Sequence, residues 1–189
     1  MVMTHKHTTT STKTSTAANT AFGNRCARYF QHLKPHAYRS HFDAARKAEL
    51  GALIQAAECG HRGEIRLVVE AKLPLRLIMQ KCSTRQRALS WFSDLRVWDT
   101  EGNTGILLYL LLAENTLEIV ADRGIAGKVP QAQWDAICQQ LQQDLAAGQV
   151  QQGIKSAITQ LGQLLTQHFP IAAGAANPNE LCNEPVIVV

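Results

Sequence analysis

Carboxylates stand at the ends of the apolar runs of this chain, and their positions suggest a chemistry. Glu64 opens the run EIRLVVEA. Asp99, Glu101 and Asn103 fall in the polar stretch VWDTEGNT (97–104). Asp122-Arg123-Gly124 closes the run LEIVA. Carboxylate and amide oxygens beside glycine-containing backbone suit a hard cation, Ca²⁺ or Mg²⁺, which takes oxygen ligands. The same acids have a simpler use: Glu64 and Asp122 can cap helices or pair with Arg62 and Arg123 on the surface. Glu64, Asp99, Glu101 and Asp122 form a metal site only if the elements carrying the three stretches bring them together.

Ile106 to Ala113 is apolar throughout, Glu114-Asn115-Thr116 is a polar break, and Leu117 to Ala121 is apolar again. Runs this short with Asn and Thr between them predict a hairpin, and the first strand, apolar on both faces, belongs at the centre of a sheet. Glu64 to Ala71 predicts another strand, with Ile65, Leu67 and Val69 on one face and Arg66 and Val68 on the other. Helices are expected over Phe42 to Cys59, after the N-cap Ser83-Thr84, over Gln131 to Ala146 and over Val150 to Phe169, each with apolar side chains at three- and four-residue spacing. LPLRLIMQ (73–80) predicts a short helix or turn. A right-handed crossover makes the first two strands parallel, and the tight turn makes the third antiparallel. The expected fold is α/β: a three-layer α/β/α sandwich around a small mixed sheet of two parallel strands plus an antiparallel hairpin strand. This polarity gathers Glu64, Asp99, Glu101, Asn103, Asp122 and Arg123 on one rim.

Other chemistries find fewer residues. There is no GxGxxG, no GxxxxGK[ST] and no GxSxG, so no nucleotide cofactor or nucleophile elbow is expected. Cys82 precedes Arg85 and Arg87 without a phosphatase-loop spacing. His61, beside the first strand, is either an acid or base or a surface-loop residue. His168 is placed to favour a helix C-terminal dipole when charged. Trp91, Trp98 and Trp134 fit core or loop anchoring. No catalytic residue can be named from these residues.

The 189 residues divide into a Thr/Ser-rich tail (1–24) expected to be disordered, a basic helical segment (25–41), one α/β/α domain (42–170) and a tail (171–189) whose PVIVV pairs with an edge strand or lies in a groove. No apolar run approaches the roughly 20 residues of a membrane span, and the start lacks the apolar core of a secretory signal. Five scattered cysteines without a CxxC pair predict reduced thiols and a cytoplasmic protein. Residues 1–50 hold eight Lys/Arg against Asp43 and Glu49, a balance of +6. The remainder holds eleven against thirteen, a balance of −2. The basic arm, with Tyr29, Phe30 and Leu33, either docks on the body or makes a weak peripheral contact with an anionic membrane. No specific nucleic-acid partner is indicated, and a protein partner is left open.

RGEIRLVVE (62–70), RALSWFSDLRVWDTEGNTGILLYLLLAENTLEIVADRGI (87–125), KVPQAQWDAI (128–137) and GIKSAITQLGQLLTQHFP (153–170) resemble the TPM-domain family. With the ending NPNEL…PVIVV (177–189), they are similar to its short, soluble bacterial branch without a transmembrane helix. The resemblance covers roughly residues 40–189 and implies the same sandwich. The family is often labelled phosphatase through plant thylakoid-lumen members tied to photosystem II repair, and some members bind calcium at the sheet rim. It therefore implies a metal-loop position for Asp122, in ADRG, with Asp99 and Glu101 in the other matching loop. ADRG replaces the glycine-tyrosine-glycine turn of the long members. The expected role is a divalent-cation or protein-binding module, the alternative a metal-assisted phosphomonoesterase.

Overall fold

The computed structural model describes residues 28, 29, 32, 42–171 and 179–188, together with the backbone of residues 3–6. Its centre is the hairpin read from the sequence. Strand β3 (Gly105–Leu111) is buried at every residue and runs antiparallel to β4 (Thr116–Ala121), with Ile106 opposite Ala121 and Leu111 opposite Thr116. The turn is a short 3₁₀ segment, Leu112–Glu114, followed by Asn115 at φ +48°. Asn tolerates this left-handed conformation because its short polar side chain bonds locally. Strand β2 (Glu64–Glu70) lies parallel to β3, with Glu64 opposite Gly105.

Two edge strands extend the sheet to the order β1-β4-β3-β2-β5. β5 (Val186–Val188) pairs parallel to β2, which is the edge-strand alternative for the C-terminal PVIVV. β1 (Met3–Lys6) pairs antiparallel to β4. Composition had led to an expectation of disorder over residues 1–24. At residues 3–6 the unpaired edge of β4 outweighs it, offering backbone hydrogen bonds that no sequence pattern reveals. The other residues of that tail fall outside the described residues.

Alternation sorts the strand residues between two cores. Ile65, Leu67, Val69, Ile106, Leu108 and Ile119 face α1 (Ala44–Ala57), α5 (Gln131–Ala146) and α6 (Val150–His168). Val68, Leu107, Tyr109, Leu111 and Val120 face α2 (Leu75–Met79) and α3 (Thr84–Asp94). A four-residue helix, α4 (Arg123–Ala126), follows β4. This is the expected three-layer α/β/α sandwich. Its helices start where the capping residues stand: Asp43 Oδ1 accepts the Arg46 N–H at 2.8 Å, and Ser83 with Gln86 forms a complete capping box. Gly60 and Gly148, at φ +89° and +76°, turn the chain out of α1 and α5. Helices α1 and α6 cross at Gly162, where a Cβ would stand 2.7 Å from the Ala57 carbonyl oxygen.

On the second face Glu70 is buried but fully engaged. Arg87 donates two hydrogen bonds to its carboxylate at 2.7 and 2.9 Å, and the Tyr109 hydroxyl donates a third at 2.6 Å. Bidentate pairing with a further donor is what a desolvated carboxylate requires.

Candidate functional site

The expected rim exists. Glu64 N–H donates to the Thr104 oxygen at 3.1 Å, Asp122 N–H to the Gly105 oxygen at 2.9 Å, and Gly124 N–H to the Asn103 oxygen at 2.9 Å. The start of β2, the start of β3 and the end of β4 therefore share one sheet end, as the strand polarity requires. Gly124 has no room for a side chain: a Cβ would lie 2.4 Å from the Gly102 oxygen and 2.5 Å from the Asn103 oxygen.

The side chains on this rim do not converge as their backbones do. Asp122 is 4% exposed and caps α4, its Oδ1 accepting the Arg123 N–H at 2.7 Å, while its buried Oδ2 has no partner among the described residues. Arg123 Nε donates to Asn103 Oδ1 at 2.9 Å. Asp99 and Glu101 are exposed on the 99–104 turn. Glu64 is turned toward the C-terminal segment, and its two oxygens accept the Glu180 and Leu181 N–H groups at 3.3 and 3.4 Å. Among the described residues, no three His, Cys, Asp or Glu side chains are grouped to hold a metal.

Glu64 instead belongs with a residue that periodicity did not single out. Glu58, 6% exposed, accepts the Ile65 N–H on Oε1 at 2.7 Å. Burial pushes its carboxyl up to about 8, and the Glu64 charge adds to the effect. Burial also raises Glu64, with Glu180 contributing. The two carboxyls line a cavity of about 330 Å³ with Gln55, Cys59, Asn179 and Asn183. Two acids brought together in a desolvated site hold protons above the usual carboxylate range.

His61 is neither an exposed loop residue nor available as an acid or base. It is fully buried, its Nδ1 accepts the Gly63 N–H at 3.1 Å, and its Nε2 lies 2.6 Å from the Ala57 oxygen. These bonds assign the proton to Nε2. Burial pushes the imidazole pKa down. The Cys82 thiol is pushed up by burial, the reverse of an activated nucleophile. Trp134 is fully buried and Trp91 packs on the second core, as anchoring roles require, whereas Trp98 is 49% exposed.

A second cavity, of about 420 Å³, opens beside Gly124 at the same sheet end. Arg62, Lys128 and His168 line it with Thr104 and Phe169. Arg62 is fixed by its backbone, which donates to the Phe169 oxygen at 3.3 Å and accepts the Thr104 hydroxyl at 2.6 Å. The Lys128 ammonium sits 4.7 Å from the centre of the Phe169 ring. These cations are far apart in sequence and carry no shared motif, so composition alone did not connect them.

The family model for the TPM domain matches residues 37–164. Among solved structures, the chain is similar to the BA42 protein from the psychrophilic bacterium Bizionia argentinensis, determined by NMR. Identity is 25% and the TM-score 0.67, covering 77% of this chain and 94% of that one. It is also similar in fold to the N-terminal domain of the cg2496 protein from Corynebacterium glutamicum, with 11% identity and a TM-score of 0.52 over 77% of this chain and 90% of that one. No curated protein matches the chain significantly. No helix among the described residues is long and apolar enough to cross a membrane. With the family model spanning well over half of the chain, and the sandwich in place around its central hairpin, this protein belongs to the TPM-domain family.

Proposed function

We propose that this protein is a non-catalytic binding module that takes a divalent cation of the Ca²⁺ or Mg²⁺ type at the sheet rim, with Asp122 as its anchoring ligand. The observation that carries this reading is Asp122 Oδ2, a buried carboxylate oxygen without a donor among the described residues. Such an atom is costly to leave unsatisfied, and a hard cation would offset that cost. Asp99 and Glu101 lie on the adjoining exposed turn and carry further oxygens of the right kind, which a cation at Asp122 would have to draw in from solvent. Binding is preferred to catalysis because two residues otherwise suited to chemistry are not available for it: His61 is engaged through both ring nitrogens, and burial raises the Cys82 thiol. The four free thiols among the described residues support a reducing compartment, and we assign the protein to the cytoplasm.

Calcium titration followed by calorimetry and amide chemical shifts tests the reading. The expected result is saturable binding with shifts centred on residues 99–104 and 122–124. Asp122→Asn should weaken it by about tenfold or more, the scale of losing one charged ligand. Because Asp122 also caps α4, Asp99→Asn and Glu101→Gln provide variants outside the cap. Binding unaltered by all three substitutions, or none at millimolar cation, overturns the proposal.

A further inference from the structure

The 420 Å³ cavity beside Gly124 combines features that the cation site does not use. Arg62 and Lys128 come to it from distant parts of the sequence, and neither forms an ion pair among the described residues. His168 joins them, held by a 3.0 Å contact between its Nε2 and Gln133 Oε1. None of the described lining residues is acidic. This stands out because residues 51–189 carry a net charge of −2, from eleven Lys/Arg against thirteen Asp/Glu. An arginine and a lysine with no ion-pair partner among the described residues, in one concave site, form a local positive field, and low-dielectric walls focus it.

The backbone holds this arrangement in place. His61 bridges to Pro170, and Ile171 N–H donates to the Gly60 oxygen at 3.0 Å, so the segment after α1 is stitched to the segment after α6. That stitch carries Arg62 to Phe169 and His168. On the other side, the Thr104 hydroxyl ties the Arg62 carbonyl to the start of β3. The Lys128 ammonium is located by the Phe169 ring rather than by a carboxylate, leaving its hydrogen-bond donors available. The cavity volume lies within the roughly 300–1,000 Å³ range of small-molecule sites, which exceeds what a bare ion fills. Phe169 and Pro170 give it an apolar wall.

We propose that this cavity is a binding site for a small organic anion, whose carboxylate or phosphoryl group is held by Arg62 and Lys128 while its apolar part lies against Phe169 and Pro170. The site needs no metal and no chemical step. It is independent of the cation proposal, which rests on Asp122.

The test uses the full chain in EDTA, so that cation binding does not contribute. Acetate, benzoate, inorganic phosphate and phenyl phosphate are titrated at constant ionic strength while amide shifts are followed. The expected result is saturable binding with shifts at residues 62, 104, 124 and 128, with benzoate or phenyl phosphate tighter than the matching bare anion. The carboxylate and phosphate arms identify which oxyanion is preferred. Arg62→Gln and Lys128→Gln, both at exposed positions, should each weaken binding by about tenfold, the scale of one charge-assisted contact. Unchanged melting temperatures show that these variants fold. Absence of saturable binding by all four probes, or binding unchanged in both folded variants, overturns the proposal.

Discussion

Two buried titratable residues at the sheet end pull stability in opposite directions with pH. Glu58 has a folded pKa raised from 4.5 to about 8, so between those values the folded state holds a proton that the unfolded state has lost. Its contribution is complete below about 4.5 and lost as pH rises toward 8. His61 has a folded pKa lowered from 6.5, so below that value the unfolded state binds the extra proton and stability falls in acid. The expected profile therefore has an alkaline limb from Glu58, reinforced by Glu64, and a mildly acidic limb from His61. Each limb has a slope of up to about 1.4 kcal/mol per pH unit for one group. Urea denaturation between pH 5 and 8 checks this. Glu58→Gln keeps an oxygen for the Ile65 N–H and should flatten the alkaline limb, making the variant at least as stable as the parent at pH 8. A slope unchanged by the substitution would show that Glu58 is ionised in the folded protein.

At the scale of elements, the C-terminal segment 179–188 acts as a strap over the start of β2. Its Glu180 and Leu181 amides bind Glu64, the Glu180 carboxylate accepts the Glu101 N–H at 2.8 Å, and the Glu184 carbonyl accepts Arg66 Nη1 at 3.2 Å. Lys47 pairs with the Glu184 carboxylate, Leu181 is buried in the second core, and β5 covers the edge of β2. Deleting residues 179–189 should cost about 2–4 kcal/mol, the scale of exposing one leucine and part of a valine with their edge pairing. Hydrogen exchange should quicken at Glu64 to Glu70 while β4 stays protected. A deletion that leaves both stability and β2 exchange unchanged would mean the strap is not bound in solution.

Across the whole molecule, the charge division between arm and body has a structural outlet. Arg28 Nε donates to Glu114 at 2.7 Å and Arg28 Nη2 to the Cys82 oxygen at 2.7 Å. His32 is buried, its Nδ1 accepting the Leu73 N–H at 3.1 Å and its Nε2 lying 2.8 Å from Glu114. Burial alone would raise Glu114, but hydrogen bonds from His32 and Arg28 outweigh it and hold the carboxyl below its ordinary value. Tyr29 is half-buried against the second core, whereas Phe30 and Leu33 lie outside the described residues. These contacts favour docking of the basic arm. Truncation before Pro35 should lower stability by about 2–4 kcal/mol, from lost burial and the opened Glu114 network. Pelleting with anionic vesicles gives the other outcome: salt-sensitive binding that disappears on truncation, with no change in melting temperature, would make the arm a membrane contact.

The chain by itself determined what local physics controls. The seven-residue apolar run of β3 fitted a central strand, Ser83 with Gln86 specified a helix start, and Gly60 and Gly148 marked helix ends. Strand polarity then placed Glu64 and Asp122 at one sheet end, because a crossover and a hairpin each allow one direction. Tertiary structure alone decided which side chains meet there. Glu64 points to the strap and to Glu58, Asp122 turns back onto α4, and Asp99 and Glu101 stay in solvent. Adjacent backbones at a rim do not fix the direction of their side chains, which follows from pleat and turn geometry. Edge strand β1, of four residues, is too short for a period to be recognised; PVIVV was legible as a candidate edge strand, but the choice between an edge and a groove depended on the free edge of β2. Arg62, Lys128 and His168 came together for the same reason: two turns and the end of α6 are packed side by side, a relation that exists only once the sheet is built.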